Sequence, residues 1–314
     1  MPDTPPSRAR SAQAPSAVIM IRPHRFRPNS ETASDNAFQS DSCDAPDKIA
    51  SNAYREVTNA ANVLNSCGVH AHLFEDEGSE TPDSVFPNNW FSTHPGGHVA
   101  IYPMYAQSRR RERRHDVIAF LKDHYRVQDV IDYSGLEPDN VFLEGTGAMV
   151  LDHLDRVAYA VRSNRTDPVA LERFCTHFNY EPMVFDAISH NGVPVYHTNV
   201  LMCIASEFAL IGLDMIKDRR RAGEIVKRLE ESGKNVIPLS EAQIGNFAGN
   251  AIELQGKEGR VLALSQRAAD ALARDQIMLI ERTAKLMPIP IPTIELAGGS
   301  VRCMMAGLHL SARR

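Results

Sequence analysis

Five short polar motifs recur along this chain at nearly constant spacing, and that regularity limits its fold more than any other feature. They are Pro87-Asn88-Asn89-Trp90, Glu144-Gly145-Thr146-Gly147, His197-Thr198-Asn199, Ala248-Gly249-Asn250 and Gly298-Gly299-Ser300-Val301-Arg302-Cys303. With Asn88, Glu144, His197, Asn250 and Cys303 as markers, the intervals are 56, 53, 53 and 53 residues. Each motif stands just ahead of a short apolar or alternating run. A fixed period of this kind marks a structural repeat, and roughly 50 residues accommodate one helix and about three strands. Five such units close into a ring, and equivalent positions in a ring face its axis. The spacing therefore predicts that an acid, a histidine, a cysteine and several amides meet at one central point.

The segments between motifs agree in phase. Residues 17–21 form an apolar run that reads as a buried strand, and 69–74 as another. Between them, Ile49, Ala53, Val57, Ala60, Ala61 and Leu64 share one face of a helix from Pro46 to Cys67, which Gly68 stops. Further helices are expected near 108–124, 167–178, 217–232 and 265–274, each followed by strand-like runs. Alternation of helix and strand indicates an α/β class. Residues 1–16, rich in Pro, Ser, Ala and Arg and without an apolar stretch, read as a disordered tail and not as a secretory signal. Residues 17–314 are then a single catalytic domain.

Composition narrows the partners. The net charge of -5 argues against nucleic acid, and no apolar run has the length of a membrane helix. The run Arg109-Arg110-Arg111-Glu112-Arg113-Arg114 reads mainly as a solvated helix surface. Five cysteines, in no C-x-x-C pair and at no zinc-like spacing, point to reduced thiols in a cytoplasmic protein. No metal and no cofactor is expected, and a homo-oligomer is left open.

Among the cysteines, Cys303 alone follows a glycine turn, where backbone can come close to a ligand. Cys203 lies inside the apolar run Val200-Leu201-Met202-Cys203-Ile204 and reads as core, while Cys43, Cys67 and Cys175 have no partner in the pattern. His197 is the natural partner of Cys303, since an imidazole can assist a thiolate, protonate a leaving amine and later activate water. Glu144, between an apolar run and glycine, either orients His197 as the third member of a triad or forms a structural ion pair. Asn88 and Asn89 form either a plain turn or a polar face; amides both donate and accept, so they suit a neutral urea-like group as well as a guanidinium.

With these motifs assembled, the chain resembles the guanidino-group-modifying, or pentein, superfamily of arginine deiminases, dimethylarginine dimethylaminohydrolases and amidinotransferases. It is most similar to the deiminase-related branch of citrulline-utilisation hydrolases and arginine dihydrolases. The resemblance runs from about residue 17 to 310 and is carried by Phe86-Pro87-Asn88-Asn89-Trp90, Leu143-Glu144-Gly145-Thr146-Gly147, Tyr196-His197-Thr198-Asn199 and the stretch from Gly298 to Met304. It implies a five-bladed, pseudo-symmetric α/β propeller with Cys303 as nucleophile, His197 as acid/base and Glu144 beside it. It also implies Arg109 and Arg165 as clamps for a substrate carboxylate, which sets Arg109 apart from its solvated neighbours. The chain departs from deiminases in carrying Asn88 or Asn89, and Asn199, where they usually place Asp; this favours the dihydrolase-like branch.

The reaction expected is cysteine-dependent hydrolysis of a C–N bond in a guanidino or ureido amino acid, arginine or citrulline, with Asn88, Asn89 and Asn199 on the planar head. Two other outcomes fit the same residues: amidino transfer from arginine to an amine acceptor, and a silent repeat protein that binds arginine or a protein partner.

Overall fold

The computed structural model describes residues 12–313. Their strands form five separate three-stranded sheets built to one plan. In each, the central strand runs antiparallel to one neighbour and parallel to the other, and the helical segment of the blade connects the two parallel strands. Parallel neighbours require such a crossover, which fixes one α/β unit per sheet.

Blade 1 comprises β1 (Ala17–Pro23), α1 (Pro46–Ser66) and β2 (His70–Asp76). The anticipated stripe of α1, from Ile49 to Leu64, is its buried face. Gly68, at φ +86°, ends the helix in a conformation that a Cβ would oppose. Blade 2 holds β3 (Phe91–His94), β4 (His98–Ile101), the helices α2 (Gln107–Arg110) and α3 (His115–His124), and β5 (Asp129–Asp132). Blade 3 begins with the single turn α4 (Gly145–Ala148), followed by β6 (Met149–Asp152), β7 (Val157–Val161), α5 (Pro168–Phe178) and β8 (Glu181–Phe185). Asp167 caps α5 by accepting from the Val169 amide, with Pro168 at the first helical position.

Blade 4 repeats this with the turn α6 (Thr198–Leu201), β9 (Met202–Ile204), β10 (Phe208–Ile211), α7 (Arg219–Glu231) and β11 (Asn235–Pro238). Blade 5 contains α8 (Glu241–Gly245) on its approach, then β12 (Ile252–Gly256), β13 (Gly259–Ser265), α9 (Gln266–Ala271), α10 (Arg274–Ile280) and β14 (Lys285–Ile289). The ring closes when β15 (Ala306–Gly307) returns to pair antiparallel with β1, Val18 opposite Gly307. The architecture is the five-bladed α/β propeller that the spacing and the resemblance predict.

Each recurring motif is the turn that leads into the first strand of a blade. The turns are stitched to one another across blade boundaries. Thr146 donates to the carbonyl of Asn88 at 3.2 Å, Thr198 to that of Ala148 at 2.5 Å, and the Asn250 amide to that of Asn199 at 3.0 Å. The Arg302 amide closes the series on Oδ1 of Asn250 at 3.0 Å. These short hydroxyl and amide side chains satisfy carbonyls that no strand reaches. All five marker residues are buried.

Two expectations change. The folded part begins earlier than residue 17: the Gln13 amide donates to the carbonyls of Leu151 and Ile204, both at 3.0 Å, and its oxygen accepts from the His153 amide at 2.8 Å. Composition does not reveal that three backbone groups await that side chain; residues 1–11 of the expected tail lie outside the described residues. The helix expected over 108–124 is broken at 111–114. There Arg109 and Glu112 turn inward, while Arg110 and Arg113 pair with Glu137 and Arg111 with Glu80.

Candidate active site

Glu144, at the head of α4, is completely buried. Its Oε2 accepts from His197 Nε2 at 2.9 Å, from Arg109 at 3.3 Å and lies 3.5 Å from Arg165; its Oε1 accepts from the Tyr105 amide at 3.1 Å. Burial alone pushes such a carboxyl up, but Arg165, the bond from His197 and Arg109 together hold Glu144 below the usual carboxylate range. An ionised Glu144 makes Nε2 the protonated ring nitrogen of His197 and leaves Nδ1 as the basic one. Burial brings the imidazole down to about 4 in spite of Glu144, so His197 is neutral near pH 7.

Gly147 explains why this ring fits. A Cβ there lies 2.9 Å from both Cε1 and Nδ1 of His197 and 2.1 Å from the Asn89 amide nitrogen. The glycine in Glu144-Gly145-Thr146-Gly147 is therefore the space in which His197 and Asn89 sit.

Cys303 follows the turn at Gly298, whose φ is +77°, and its side chain is buried. The sulfur accepts from the amides of Asn199 and Asn250, each at 3.2 Å, which fixes its direction. Cys303 and His197 line one cavity together with Asp83, Asn89, Arg109 and Arg165. The cavity holds about 10 Å³, the space of a single water.

Both arginines reach the cavity, but both already carry protein carboxylates. Arg109 grips Glu112 bidentately at 2.9 and 3.0 Å and lies 3.7 Å from Asp83. Arg165 is almost completely buried, bonds Asp35 through Nε at 3.1 Å and through Nη2, and lies 4.7 Å above the Tyr196 ring. Burial disfavours both charges, yet the surrounding carboxylates hold both guanidinium groups above their ordinary values.

The three amides part company. Asn89 faces the cavity, its oxygen 3.4 Å from Arg109. Asn199 is not on the cavity wall; it lies against the sulfur, because the α6 turn directs its amide toward Cys303. The Asn88 side chain is buried with no hydrogen-bond partner and does not line the cavity, since its turn presents its carbonyl to Thr146.

Several residues of the site escaped the sequence reading. Asn250 served there only as a repeat marker. Glu112 had a usable signal, the i,i+3 spacing to Arg109. Asp83, whose Oδ1 is buried without a partner, and Asp35 had none, because both act through contacts distant in sequence. Among the described residues no group of three or more His, Cys, Asp or Glu side chains could hold a metal ion, and no helix is long and apolar enough to cross a membrane.

A five-bladed α/β propeller with cysteine, histidine and glutamate motifs on its axis defines the pentein class of guanidino-modifying enzymes. Within that class the chain belongs to the N,N-dimethylarginine dimethylhydrolase family, whose eukaryotic model matches residues 22–310. No curated protein matches the chain. Among solved structures, it is similar to the N-terminal domain of ArgZ, an arginine dihydrolase of Cyanobacteria, with 16% identity, a TM-score of 0.70 and coverage of 92% of this chain and 96% of that one. Dimethylarginine dimethylhydrolase from Pseudomonas aeruginosa also matches, at 16% identity and a TM-score of 0.63 over 94% of this chain and 99% of that one. AgrE matches at 17% identity and a TM-score of 0.69, covering 95% of this chain but 40% of AgrE. Full-length ArgZ is likewise covered only to 40%. At these identities the structural likenesses establish the fold.

Proposed function

We propose that this protein hydrolyses a C–N bond in the guanidino or ureido group of a small amino acid, with Cys303 as nucleophile. The observation that carries the reading is the Glu144–His197 pair at 2.9 Å, on the wall of the cavity that also holds Cys303. Its structural relatives include an arginine dihydrolase, a cysteine-to-serine dimethylarginine dimethylhydrolase carrying citrulline, and an ArgZ domain covalently bound to a reaction intermediate.

The cavity wall offers a carboxylate and an amide to a planar cationic head: Asp83, with its unpartnered oxygen, and Asn89. Nδ1 of His197 takes the proton of Cys303, and Sγ adds to the central carbon of the head. The resulting imidazolium, stabilised by Glu144, returns that proton to the departing nitrogen. With arginine the leaving group is ammonia, and an S-alkylthiouronium remains on Cys303. Water then adds to the same carbon as His197 removes its proton, and the C–S bond breaks to release citrulline and the thiol. Repetition on the ureido group gives ornithine, ammonia and carbon dioxide. Arg109 and Arg165 serve the carboxylate end of the substrate, as arginine forks do.

Separate incubations with arginine, citrulline, agmatine and dimethylarginine, followed by assay of ammonia, alkylamine, citrulline and ornithine, test the proposal and identify the substrate. Guanidinoacetate formed from arginine and glycine would replace hydrolysis by amidino transfer. Absence of any product, with no labelling of Cys303 by iodoacetamide, would leave a silent binding protein.

A further inference from the structure

The segment 24–45, which joins β1 to α1 without regular secondary structure of its own apart from a turn, lies over the catalytic cavity. Asn29 donates to Asp83, Asn36 donates to the carbonyl of Ala297, and Phe38 packs against Tyr196 and Phe247. Asn36 lines the cavity, and its neighbour Asp35 takes Nε and Nη2 of Arg165. Beneath the segment there is room for one water, so no guanidino amino acid enters while it stays in place. Withdrawing the segment removes Asp35 and uncovers a buried guanidinium. Glu144, 3.5 Å from Arg165, then remains but is shared with His197 and Arg109, so the buried guanidinium loses its bidentate partner and is under-compensated until another anion replaces it.

We propose that Asp35 is a built-in occupant of the substrate-carboxylate position. The segment closes the site by seating Asp35 on Arg165, and a substrate enters by exchanging its own carboxylate for that of Asp35. This inference rests on the function proposed above and adds a gate to it: the arginine assigned to the substrate is held, between turnovers, by a residue of the protein itself. The exchange conserves the bidentate carboxylate–guanidinium contact, so it is nearly balanced for a substrate bearing a carboxylate. It is unbalanced for agmatine, which brings none.

The gate lowers apparent affinity by the fraction of time the site is open. Equilibrium binding of arginine and citrulline, measured by calorimetry on the full chain carrying Cys303→Ala, is therefore compared with and without Asp35→Asn. Removing the internal competitor should tighten binding by about tenfold. In a background that also carries Arg165→Met, the same Asp35→Asn change should alter the dissociation constant less than about twofold, since the contested cation is gone. Damage to the fold does not tighten binding, so a gain of affinity separates competition from a structural role. Asp35→Ala provides the second variant, because an asparagine can still hydrogen-bond Arg165. Unchanged or weaker binding in both Asp35 variants overturns the gate while leaving the hydrolase reading intact. An equal gain without Arg165 also overturns it. No binding of either amino acid by any of these proteins overturns the gate together with the function on which it rests.

Discussion

Replacing Gly147 with alanine is a small change directly against the Asn89 amide and the His197 ring. The backbone there does not adopt a positive φ, so alanine meets no conformational objection, only a steric one. Its Cβ falls 2.1 Å from the Asn89 nitrogen and 2.9 Å from two atoms of the His197 ring. Ordinary contact is about 3.4 Å, so the amide must retreat by about 1.3 Å and the imidazole by about 0.5 Å. Neither is free to do so. Asn89 is tied to the Glu144 carbonyl and to Arg109, each at 3.4 Å, and His197 to Glu144 at 2.9 Å. Overpacking of this kind costs roughly 1–3 kcal/mol of stability. A misplacement of about 1 Å near reacting atoms costs about 100-fold in rate, or about 2.7 kcal/mol of barrier. Ammonia release and thermal melting, measured side by side, should therefore show kcat reduced by about two orders of magnitude in a protein that still folds. A Gly147→Ala enzyme that melts like the parent and retains activity within about threefold would refute the claim that this glycine sets the position of the ring.

Three further outcomes follow from the same geometry. Cys303→Ala should abolish ammonia release in a protein that still folds but melts somewhat lower, because the Asn250 amide keeps the Asn199 carbonyl while the buried Asn199 amide loses its bond to the sulfur; substantial residual turnover would remove Cys303 from the chemistry. His197 titrates near 6.5 when unfolded and near 4 when folded, so the unfolded chain binds more protons between those values. Stability should thus fall as pH drops from about 6.5 to about 4, by roughly 3 kcal/mol from this residue. Urea unfolding of the parent and of His197→Gln should show a shallower slope in the variant across that window. Asn89→Asp adds a negative charge to the cavity wall and should raise the preference for cationic arginine over neutral citrulline by about tenfold; an unchanged ratio of kcat/KM values would disconnect this amide from the planar head.

The ring was legible because its period is written in residues that have little freedom. Gly145, Gly147, Gly249 and Gly299 each admit a neighbour where a side chain would clash, and hydroxyl or amide residues beside them tie one blade to the next. Such positions recur with the blade and survive as a visible pattern. The stripe of α1 was legible for the usual reason, a buried face at helical spacing. The electrostatic partners were not. Asp35 meets Arg165 across 130 residues and Asp83 meets Asn29 across 54, and nothing local in either stretch indicates that its carboxylate is aimed inward. The amides divided for a similar reason. Asn88, Asn89 and Asn199 look interchangeable in sequence, but a single turn of backbone sends one to the cavity, one to the sulfur and one into the interior with no side-chain partner.

The closing strand has a consequence for the life of the molecule. β15 joins the last part of the chain to the first, and the nucleophile stands three residues upstream of that seam. A growing polypeptide thus acquires histidine and glutamate long before it acquires a reactive sulfur. The sulfur is made at almost the moment when the circle can shut. A chain that stops short of Cys303 therefore has the acid and the imidazole without the sulfur, and also lacks the strand that closes the ring on β1.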